Sequence, residues 1–196
     1  MARPREFDED EVVARAREVF WTAGYAATSV HDLVAATGLS RGSLYGAFGD
    51  KRGLFLRALD SYCDATVAAV HADLDGDDAG AARRIVAHMA HVADNCGGNM
   101  RGCFLAKSTA ALAATDPAVA ERAERTYGTY ETVLAGCLAQ AQRHGDLAPR
   151  HDPGALAALL LITVRGMETL GQAGRSLRFM RQVARHSVAF LDEPTR

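Results

Sequence analysis

Residues 28–55 read TSVHDLVAATGLSRGSLYGAFGDKRGLF, and this stretch decides the fold of the N-terminal part of the chain. Thr28 and Ser29 are both suited to cap a helix, because a side-chain oxygen at that position accepts a free backbone N–H. Apolar residues then recur at i, i+3 and i+4 and form one stripe: Val30, Leu33 and Val34. The pattern predicts a short helix that starts at residue 28 or 29.

A second short helix follows after a glycine turn. Gly38 ends the first helix, because glycine adopts the left-handed backbone conformation that a helix C-terminus often needs. Ser40 is suited to cap the next helix, in which Leu44 and Phe48 lie four residues apart and are expected to face inward. Three residues are left facing outward: Arg41, Ser43 and Tyr45. Two short helices joined by such a turn predict a helix-turn-helix, whose second helix has the size that enters a DNA major groove.

The segment AREVFWTAGYAATSVHDLVAATGLSRGSLYGAFGDKRGLF, from Ala16 to Phe55, resembles the DNA-binding domain of the TetR family of bacterial transcriptional repressors. The matching positions are Phe20, Gly24, Tyr25, Thr28, Gly38, Leu44, Tyr45, Phe48 and Lys51. The resemblance implies an all-α protein with a DNA-binding domain over residues 1–52 and a helical bundle for ligand binding and dimerisation over residues 53–196. It also implies a homodimeric regulator that a small-molecule effector releases from a palindromic double-stranded operator.

The same resemblance implies the residues that contact DNA. They are Thr28, Ser29, Ser40, Arg41, Gly42, Ser43, Tyr45, Gly46 and Lys51. Arg41 has the donor geometry for guanine O6 and N7, whereas Thr28 and Lys51 are expected on phosphates. Many relatives have a bulkier side chain where this chain has Gly46 and Ala47. Arg3 and Arg5 form an N-terminal arm that either enters a minor groove or is a frayed terminus.

Charge is distributed unevenly along the chain. The net charge is −2 over 196 residues. Between Gly38 and Arg57, however, four cations face one carboxylate, a net charge of +3: Arg41, Lys51, Arg52 and Arg57 against Asp50. This local excess favours phosphate binding, because electrostatic contacts act within about 10 Å at physiological salt.

The rest of the chain is predicted to be helical, with about nine helices in all. After a first helix that ends at Gly24, the later ones are expected near residues 51–74, 81–95, 103–114, 117–144, 153–172 and 175–191. No segment alternates with period two over the length of a strand. We expect a cytoplasmic protein with reduced cysteines, because no signal peptide is evident and the apolar run from Ala155 to Val164 is too short to span a bilayer.

Two effector hypotheses arise from the C-terminal part. The first is a small organic molecule bound among Tyr62, Met89, Phe104, Tyr127, Tyr130, Met167 and Glu168. The second is an oxidant or electrophile that reacts with Cys103, because the segment Gly102-Cys103-Phe104-Leu105 resembles one in a thiol-sensing subgroup of the family. A thiol at a helix N-terminus has a lowered pKa, and Arg101 and Lys107 would lower it further. The alternative for Cys103 is a buried structural residue.

Other functions have weaker support. His88 and His91 share one helical face, which suggests zinc or copper sensing, yet no carboxylate completes a cluster near them in sequence. No metal site and no cofactor are therefore predicted. Phosphate loops and hydrolase motifs are absent from the sequence, so we do not expect an enzyme. A protein-interaction module without DNA binding is the remaining alternative.

Dimerisation is assigned to the last two helices. They contain many apolar residues: Leu156, Leu159, Leu160, Ile162, Val164 and Leu170. Such a face is too apolar for the surface of a monomer and predicts an isologous four-helix contact. The alternative is that these side chains pack inside one protomer.

Overall fold

A computed structural model describes residues 7–97 and 101–193. These residues form an all-α fold, as predicted, with nine α-helices: α1 (Glu9–Ala23), α2 (Val30–Thr37), α3 (Arg41–Phe48), α4 (Lys51–Leu74), α5 (Ala81–Cys96), α6 (Phe104–Leu112), α7 (Pro117–His144), α8 (Pro153–Gln172) and α9 (Leu177–Ser187). Single 3-10 turns cover Asp78–Gly80 and Ala189–Asp192, so the last α-helix ends earlier than predicted. The N-terminal arm with Arg3 and Arg5 lies outside the described residues.

Local chemistry sets the ends of the first three helices. Asp8 caps α1 by accepting the backbone N–H groups of residues 10 and 11. Ser29 caps α2 in a capping box, in which Asp32 returns a bond to the Ser29 backbone. Gly38 then ends α2 with a φ of 73°, the left-handed conformation that the sequence predicts. Ser40 caps α3 as expected.

The chain divides into two compact units. The first contains the described residues up to 65 together with 104–123, and the second contains 66–103 and 124–193. Helices α4 and α7 each run from one unit into the other along the chain. The division between these units falls inside α4 and inside α7, because α6 and the start of α7 pack with the helix-turn-helix. The boundary after residue 52 stays a prediction.

Aromatic rings form the core of the first unit. Phe55 lies 5.2 Å from Phe20, 4.8 Å from Tyr25 and 6.0 Å from Phe104, measured between ring centroids. Trp21 and Tyr62 extend the cluster, with their centroids 5.1 Å apart. The contacts of Phe55 with Phe20 and Phe104 are edge-to-face, and such pairs stabilise the core beyond the burial of the rings. They hold α1, α4 and α6 together beneath the helix-turn-helix.

Aliphatic side chains form the core of the second unit. Residues from the end of α4, from α5 and from α7–α9 are buried together, among them Leu74, Ile85, Leu134, Leu160 and Met180. Each fully buried side chain of this size contributes about 1.5–3 kcal/mol relative to an exposed one. This core fixes the positions of the polar side chains that lie at its edge.

Helix α8 is long and apolar enough to cross a membrane by length and composition alone. Its most apolar window has a mean hydropathy of 1.4, and 33% of that window is buried. The sequence expectation considered only an uninterrupted apolar run and therefore missed this property. Leu160, Val164 and Met167 place one side of α8 in the core of the second unit, which is how a core helix is built.

Candidate functional site

Helix α3 presents a polar face to solvent. Leu44 is buried beneath the helix, whereas Arg41, Ser43 and Gly46 are exposed and Tyr45 is half-buried. The guanidinium carbon of Arg41 lies 5.2 Å from the centre of the Tyr45 ring. This cation–π contact orients the arginine while leaving its donors toward solvent.

The two serines of α3 form a small hydrogen-bonded unit. Ser40 Oγ accepts the backbone N–H of Ser43 at 3.1 Å, and the two hydroxyl oxygens are 2.9 Å apart. One hydroxyl must donate to the other, so one of the two protons remains for an external acceptor. That acceptor can be a phosphate oxygen, as the resemblance implies.

The glycines of α3 are not required by packing. A Cβ built on Gly46 meets no atom within 4 Å, and one built on Gly42 meets only Ser40 Oγ, at 3.8 Å. Glycine in a helix costs stability relative to alanine, so some other role is needed to explain it. A surface without side chains allows a ligand backbone to approach the helix closely.

Thr28 does not present its hydroxyl to solvent, and its predicted phosphate contact is wrong in this respect. The residue is 2% exposed, and Oγ1 donates to the backbone carbonyl of Gly24 at 2.7 Å. It therefore secures the connection between α1 and α2. Ser29 is exposed, but its hydroxyl donates to Asp32 at 2.7 Å, which lowers the pKa of that carboxyl. The hydroxyl of Ser29 is thus already used within the capping box.

Lys51 has a structural role that the sequence did not indicate. Its ammonium donates to the carbonyl oxygens of Tyr25 and Thr28, both at 2.8 Å, and lies 4.3 Å from the Tyr25 ring centre. Two of its three N–H donors hold the segment before α2. Their acceptors are neutral carbonyl oxygens, which do not neutralise the ammonium. The positive charge therefore remains available to attract phosphate.

Arg52 contributes less free charge than the sequence suggested. Its Nε and Nη2 donate to the two carboxylate oxygens of Asp116, at 2.8 and 2.7 Å. The pair lowers the pKa of Asp116, chiefly through the side-chain hydrogen bond from Arg52. The excess of positive charge near α3 therefore comes from Arg41, Lys51 and Arg57.

A second polar group of residues lies at the edge of the core in the second unit. The guanidinium of Arg165, on α8, lies 5.2 Å from the ring centre of Tyr127 and 5.7 Å from that of Tyr130, both on α7. Its Nη1 donates to Cys103 Sγ at 3.4 Å and lies 3.0 Å from Glu168 Oε2. We call these five residues the Arg165 site.

Two polar atoms of the Arg165 site are left without hydrogen bonds. Arg165 Nε and Glu168 Oε2 are buried and find no hydrogen-bond partner within the part of the chain that the structure describes. Oε2 is close to Nη1, but the alignment is not that of a hydrogen bond. Burial raises the pKa of Glu168, and Arg165 opposes that shift. A buried polar atom without a partner is costly and needs an explanation.

Hydrogen bonds connect the Arg165 site to the last turn of α4. Tyr130 Oη lies 2.5 Å from His88 Nε2, and His88 Nδ1 lies 2.8 Å from Asp73 Oδ2. Since a carboxylate only accepts, Nδ1 carries the proton and the tyrosine donates to Nε2. Burial lowers the pKa of His88, although the bond to Asp73 opposes the shift.

His88 and His91, the two histidines considered as metal ligands, form hydrogen bonds within the protein. Both Nδ1 atoms contact the same oxygen of Asp73, and Tyr130 occupies the other nitrogen of His88. In the described ranges, no three His, Cys, Asp or Glu residues come together as metal ligands. The two histidines instead form part of the connection from the Arg165 site to α4.

The predicted effector residues separate into three groups. Cys103, Tyr127, Tyr130 and Glu168 come together around Arg165. Tyr62 and Phe104 instead pack in the aromatic core of the first unit, while Met89 and Met167 are buried in the aliphatic core of the second. Sequence reasoning missed Arg165 itself, although an arginine three residues before Glu168 in an otherwise apolar helix was a detectable signal.

The surroundings of Cys103 differ from the sequence expectation. Cys103 directly precedes α6 and is 4% exposed. The ammonium of Lys107 donates to the carbonyl of Trp21 at 2.7 Å. Arg165, which the sequence did not indicate, places a guanidinium against the Cys103 sulfur. Nearby Cys96 is a poor nucleophile, since burial raises its pKa to about 11.

The predicted dimerisation residues also separate. Leu160 and Val164 are 0% and 1% exposed and belong to the core of one protomer, so their assignment to an interface is wrong. Leu159, Ile162 and Leu170 are 51%, 69% and 40% exposed. These three lie along one side of α8 and form an apolar stripe. Leu156 is half-buried against the core.

Comparisons with known proteins agree with this architecture. Residues 12–58 match the N-terminal model of the tetR family of bacterial regulatory proteins, and residues 80–187 match a tetracyclin repressor-like C-terminal domain. The HTH-type transcriptional repressor ComR of Escherichia coli K12 is 32% identical over 185 residues, which cover 93% of this chain and 88% of ComR.

Solved structures show the same fold. A TetR regulator from Chloroflexus aurantiacus superimposes with a TM-score of 0.83 at 23% identity, over 95% of this chain and 94% of that one. A cysteine mutant of the regulator CifR, in complex with 26-bp double-strand operator DNA, superimposes with a TM-score of 0.78 at 25% identity, over 95% and 98% of the two chains. The helix-turn-helix, the two family models and the similarity to ComR over 93% of this chain lead to one conclusion: this chain belongs to the TetR family of bacterial regulatory proteins and is a DNA-binding transcriptional regulator.

Proposed function

We propose that this protein is a repressor that binds a palindromic operator as a homodimer, with α3 of each protomer in a major groove. The observation that carries this proposal is the exposed surface of α3, which contains Arg41, Ser43 and two glycines that packing does not require. Half-sites would then lie about one helical turn of DNA apart, or a multiple of it. The protein would act in the cytoplasm and would not be an enzyme.

The apolar stripe of α8 supports a dimer. Leu159, Ile162 and Leu170 are large, exposed side chains on one side of a helix whose other side is buried. An isologous contact between two such helices removes them from water and closes by two-fold symmetry. This symmetry would present two α3 helices to a palindromic site.

The Arg165 site supports control by a small molecule. A ligand that contacts Arg165 would disturb Tyr130, whose hydroxyl bonds to His88, which in turn bonds to Asp73 near the end of α4. Because α4 begins at Lys51, beside the helix-turn-helix, a shift of its last turn has a direct covalent route to the DNA-binding unit. Effector and operator would then weaken each other's binding by the same factor.

Titration of fluorescent DNA tests the DNA-binding part. The probe is the region upstream of the protein's own coding sequence, with a scrambled duplex as reference and a series of salt concentrations. We expect Arg41→Ala to lose much of the preference for the specific duplex, because a bidentate base contact contributes about 1–3 kcal/mol of discrimination. Tyr45→Ala should weaken binding to both duplexes. Arg83→Ala, an exposed arginine on α5, is the matched control.

Equal binding of both duplexes by the wild-type protein over all salt concentrations would contradict specific binding to this region. Unchanged binding by both α3 variants would contradict the assignment of α3 as the recognition helix.

Analytical ultracentrifugation of Ile162→Glu tests the dimer. A charge in the apolar stripe should shift the protein from dimer to monomer. An intact dimer would exclude this face of α8 as the dimer interface.

Control by an electrophile that reacts with Cys103 is a second candidate, favoured by the bond from Arg165 Nη1 to its sulfur at 3.4 Å. A neighbouring cation stabilises the thiolate. The sulfur would add to the β-carbon of an activated alkene. A C–S bond forms, the π bond breaks, and the α-carbon takes the thiol proton. N-ethylmaleimide should then release DNA from the wild type and from Cys137→Ser but not from Cys103→Ser. Release from Cys103→Ser would exclude this mechanism.

A further inference from the structure

We propose that the Arg165 site binds a small, uncharged molecule that offers one hydrogen-bond acceptor and one donor side by side, such as a primary amide or a hydroxy-carbonyl compound. The acceptor would bind Arg165 Nε, and the donor would bind Glu168 Oε2. This inference rests on the proposed control by a small molecule, and it assigns the chemical class of the effector.

The two atoms define the class because their neighbours are already used. Arg165 Nη1 donates to Cys103, and the Tyr130 hydroxyl is held by His88 at 2.5 Å. Nε carries a single N–H and can only donate, whereas Oε2 of an ionised carboxylate can only accept. Both atoms are buried and have no hydrogen-bond partner in the described chain. A ligand that satisfies both must present the complementary pair, an acceptor and a donor.

The charge of the site excludes ions from this class. Arg165 and Glu168 lie 3.0 Å apart and together carry no net charge. An anion that contacts Nε would face the carboxylate, and a cation that contacts Oε2 would face the guanidinium. Either one would also lose its hydration in a site where four-fifths of both side chains are buried. An uncharged ligand avoids both costs.

The walls of the site keep the guanidinium in place. Tyr127 and Tyr130 lie 5.2 and 5.7 Å from the guanidinium carbon, so two rings restrict its rotation. The side chains of Arg165 and Glu168 are 21% and 19% exposed, whereas Nε and Oε2 themselves are buried, so a small molecule reaches these two atoms when a neighbouring side chain moves aside. The geometry therefore suits a ligand with a compact polar end.

An isosteric series tests the inference. Acetamide, acetate and acetamidinium each have four heavy atoms and nearly the same shape, but they are neutral, anionic and cationic. Their binding to the full-length protein is measured at pH 8 by chemical-shift titration of the methyl groups of ¹³C-labelled methionine. We expect acetamide to bind about tenfold more tightly than either ion, the effect of one mismatched polar contact.

Exchange of one group should reverse the selectivity. In Glu168→Gln the site keeps the arginine charge and loses the carboxylate, so acetate should bind more tightly than acetamide and should raise the melting temperature of this variant more than that of the wild type. Glu124→Gln, an exposed glutamate on α7, is the matched control and should keep the wild-type preference. A role of Glu168 in folding alone would lower the melting temperature without changing the order of the three probes.

The wild-type series is decisive even if Glu168→Gln does not fold. Tighter binding of acetate or acetamidinium would overturn the proposal. So would no binding of acetamide at about 100 mM, a concentration far above the Kd of about 40 μM that the best ligands of four heavy atoms reach. The two atoms would then be satisfied by water. Operator titration on the same samples separates the two hypotheses: intact DNA binding without acetamide binding would contradict only the ligand class.

Discussion

The exposed surface of α3 and the Arg165 site are both polar, but they are built in opposite ways. The polar residues of α3 come from eight consecutive positions, and the cap that orients its serines spans three residues. The Arg165 site joins Cys103 to an arginine 62 residues later in the chain, with tyrosines from a third helix. The first is exposed to water, and the second is largely buried.

This difference decides what each group costs when it is lost. An exposed polar residue of α3 contributes little to stability, because water replaces its contacts. A buried charge that loses its partner is left without water and without compensation. Substitutions in the helix-turn-helix surface should therefore change binding, whereas substitutions in the Arg165 site should change folding as well.

The largest effect is expected for Arg165→Met. It leaves the buried carboxylate of Glu168 without its cation, which should lower the free energy of unfolding by about 3 kcal/mol. The double variant Arg165→Met, Glu168→Leu removes both charges and should recover most of this loss, in a thermodynamic cycle measured by urea unfolding at pH 8. Simple additivity of the two single variants would show that the ion pair is not coupled.

Gly53→Ala should have the next largest effect on stability. A Cβ at Gly53, in the first turn of α4, would lie 2.0 Å from the backbone carbonyl oxygen of Phe48. Because a backbone atom cannot easily move away, we expect a loss of about 1–3 kcal/mol. Thermal unfolding followed by circular dichroism measures it. An unchanged melting temperature would mean that the turn between α3 and α4 adapts freely.

Gly46→Ala should act in the opposite direction on stability. The added methyl group meets nothing in the protein, so the helix should gain about 0.5–1 kcal/mol. Operator affinity should nevertheless fall about tenfold, because the methyl group would occupy space needed by DNA. Gly128→Ala, on α7, is the control, as its Cβ also meets no atom within 4 Å. Undiminished affinity of Gly46→Ala would exclude close approach of DNA at this position.

The smallest effect is a pH dependence from His88. Its pKa in the folded protein is lowered by burial, so the unfolded chain takes up a proton at a higher pH than the folded one. Stability should therefore fall as pH decreases below about 6.5, by at most about 1.4 kcal/mol per pH unit. In His88→Asn, which does not titrate at this position, the free energy of unfolding should decrease less between pH 7.5 and 5.5 than it does in the wild type.

The control for this experiment is His186→Asn, at an exposed position on α9. The contribution of Glu168 to the pH dependence of stability has the opposite sign, because its pKa is raised and the folded state takes up a proton at a higher pH than the unfolded state. This contribution is present in the variants and in the wild type, so it cancels when they are compared. A pH profile of His88→Asn that runs parallel to the wild type would contradict the assignment.

The two glycine substitutions also show the limit of sequence reasoning. Gly46 and Gly53 lie seven residues apart in neighbouring helices, and nothing in the sequence distinguishes them. One faces open space, and the other lies against a carbonyl oxygen that the turn after Phe48 brings close. Lys51 is a similar case, because its two carbonyl partners, 26 and 23 residues away, depend on how α1 and α2 are joined.

The sequence by itself determined the helices, their caps, the helix-turn-helix and the family, because capping, glycine turns and apolar periodicity act between residues only a few positions apart. Tertiary structure decided which polar groups meet. It placed Tyr62 and Phe104 in an aromatic core, buried Leu160 while leaving Ile162 exposed, and brought Arg165 to Cys103 and Glu168. Those contacts depend on the packing of separate helices, which side-chain volume and burial determine and which no local pattern records.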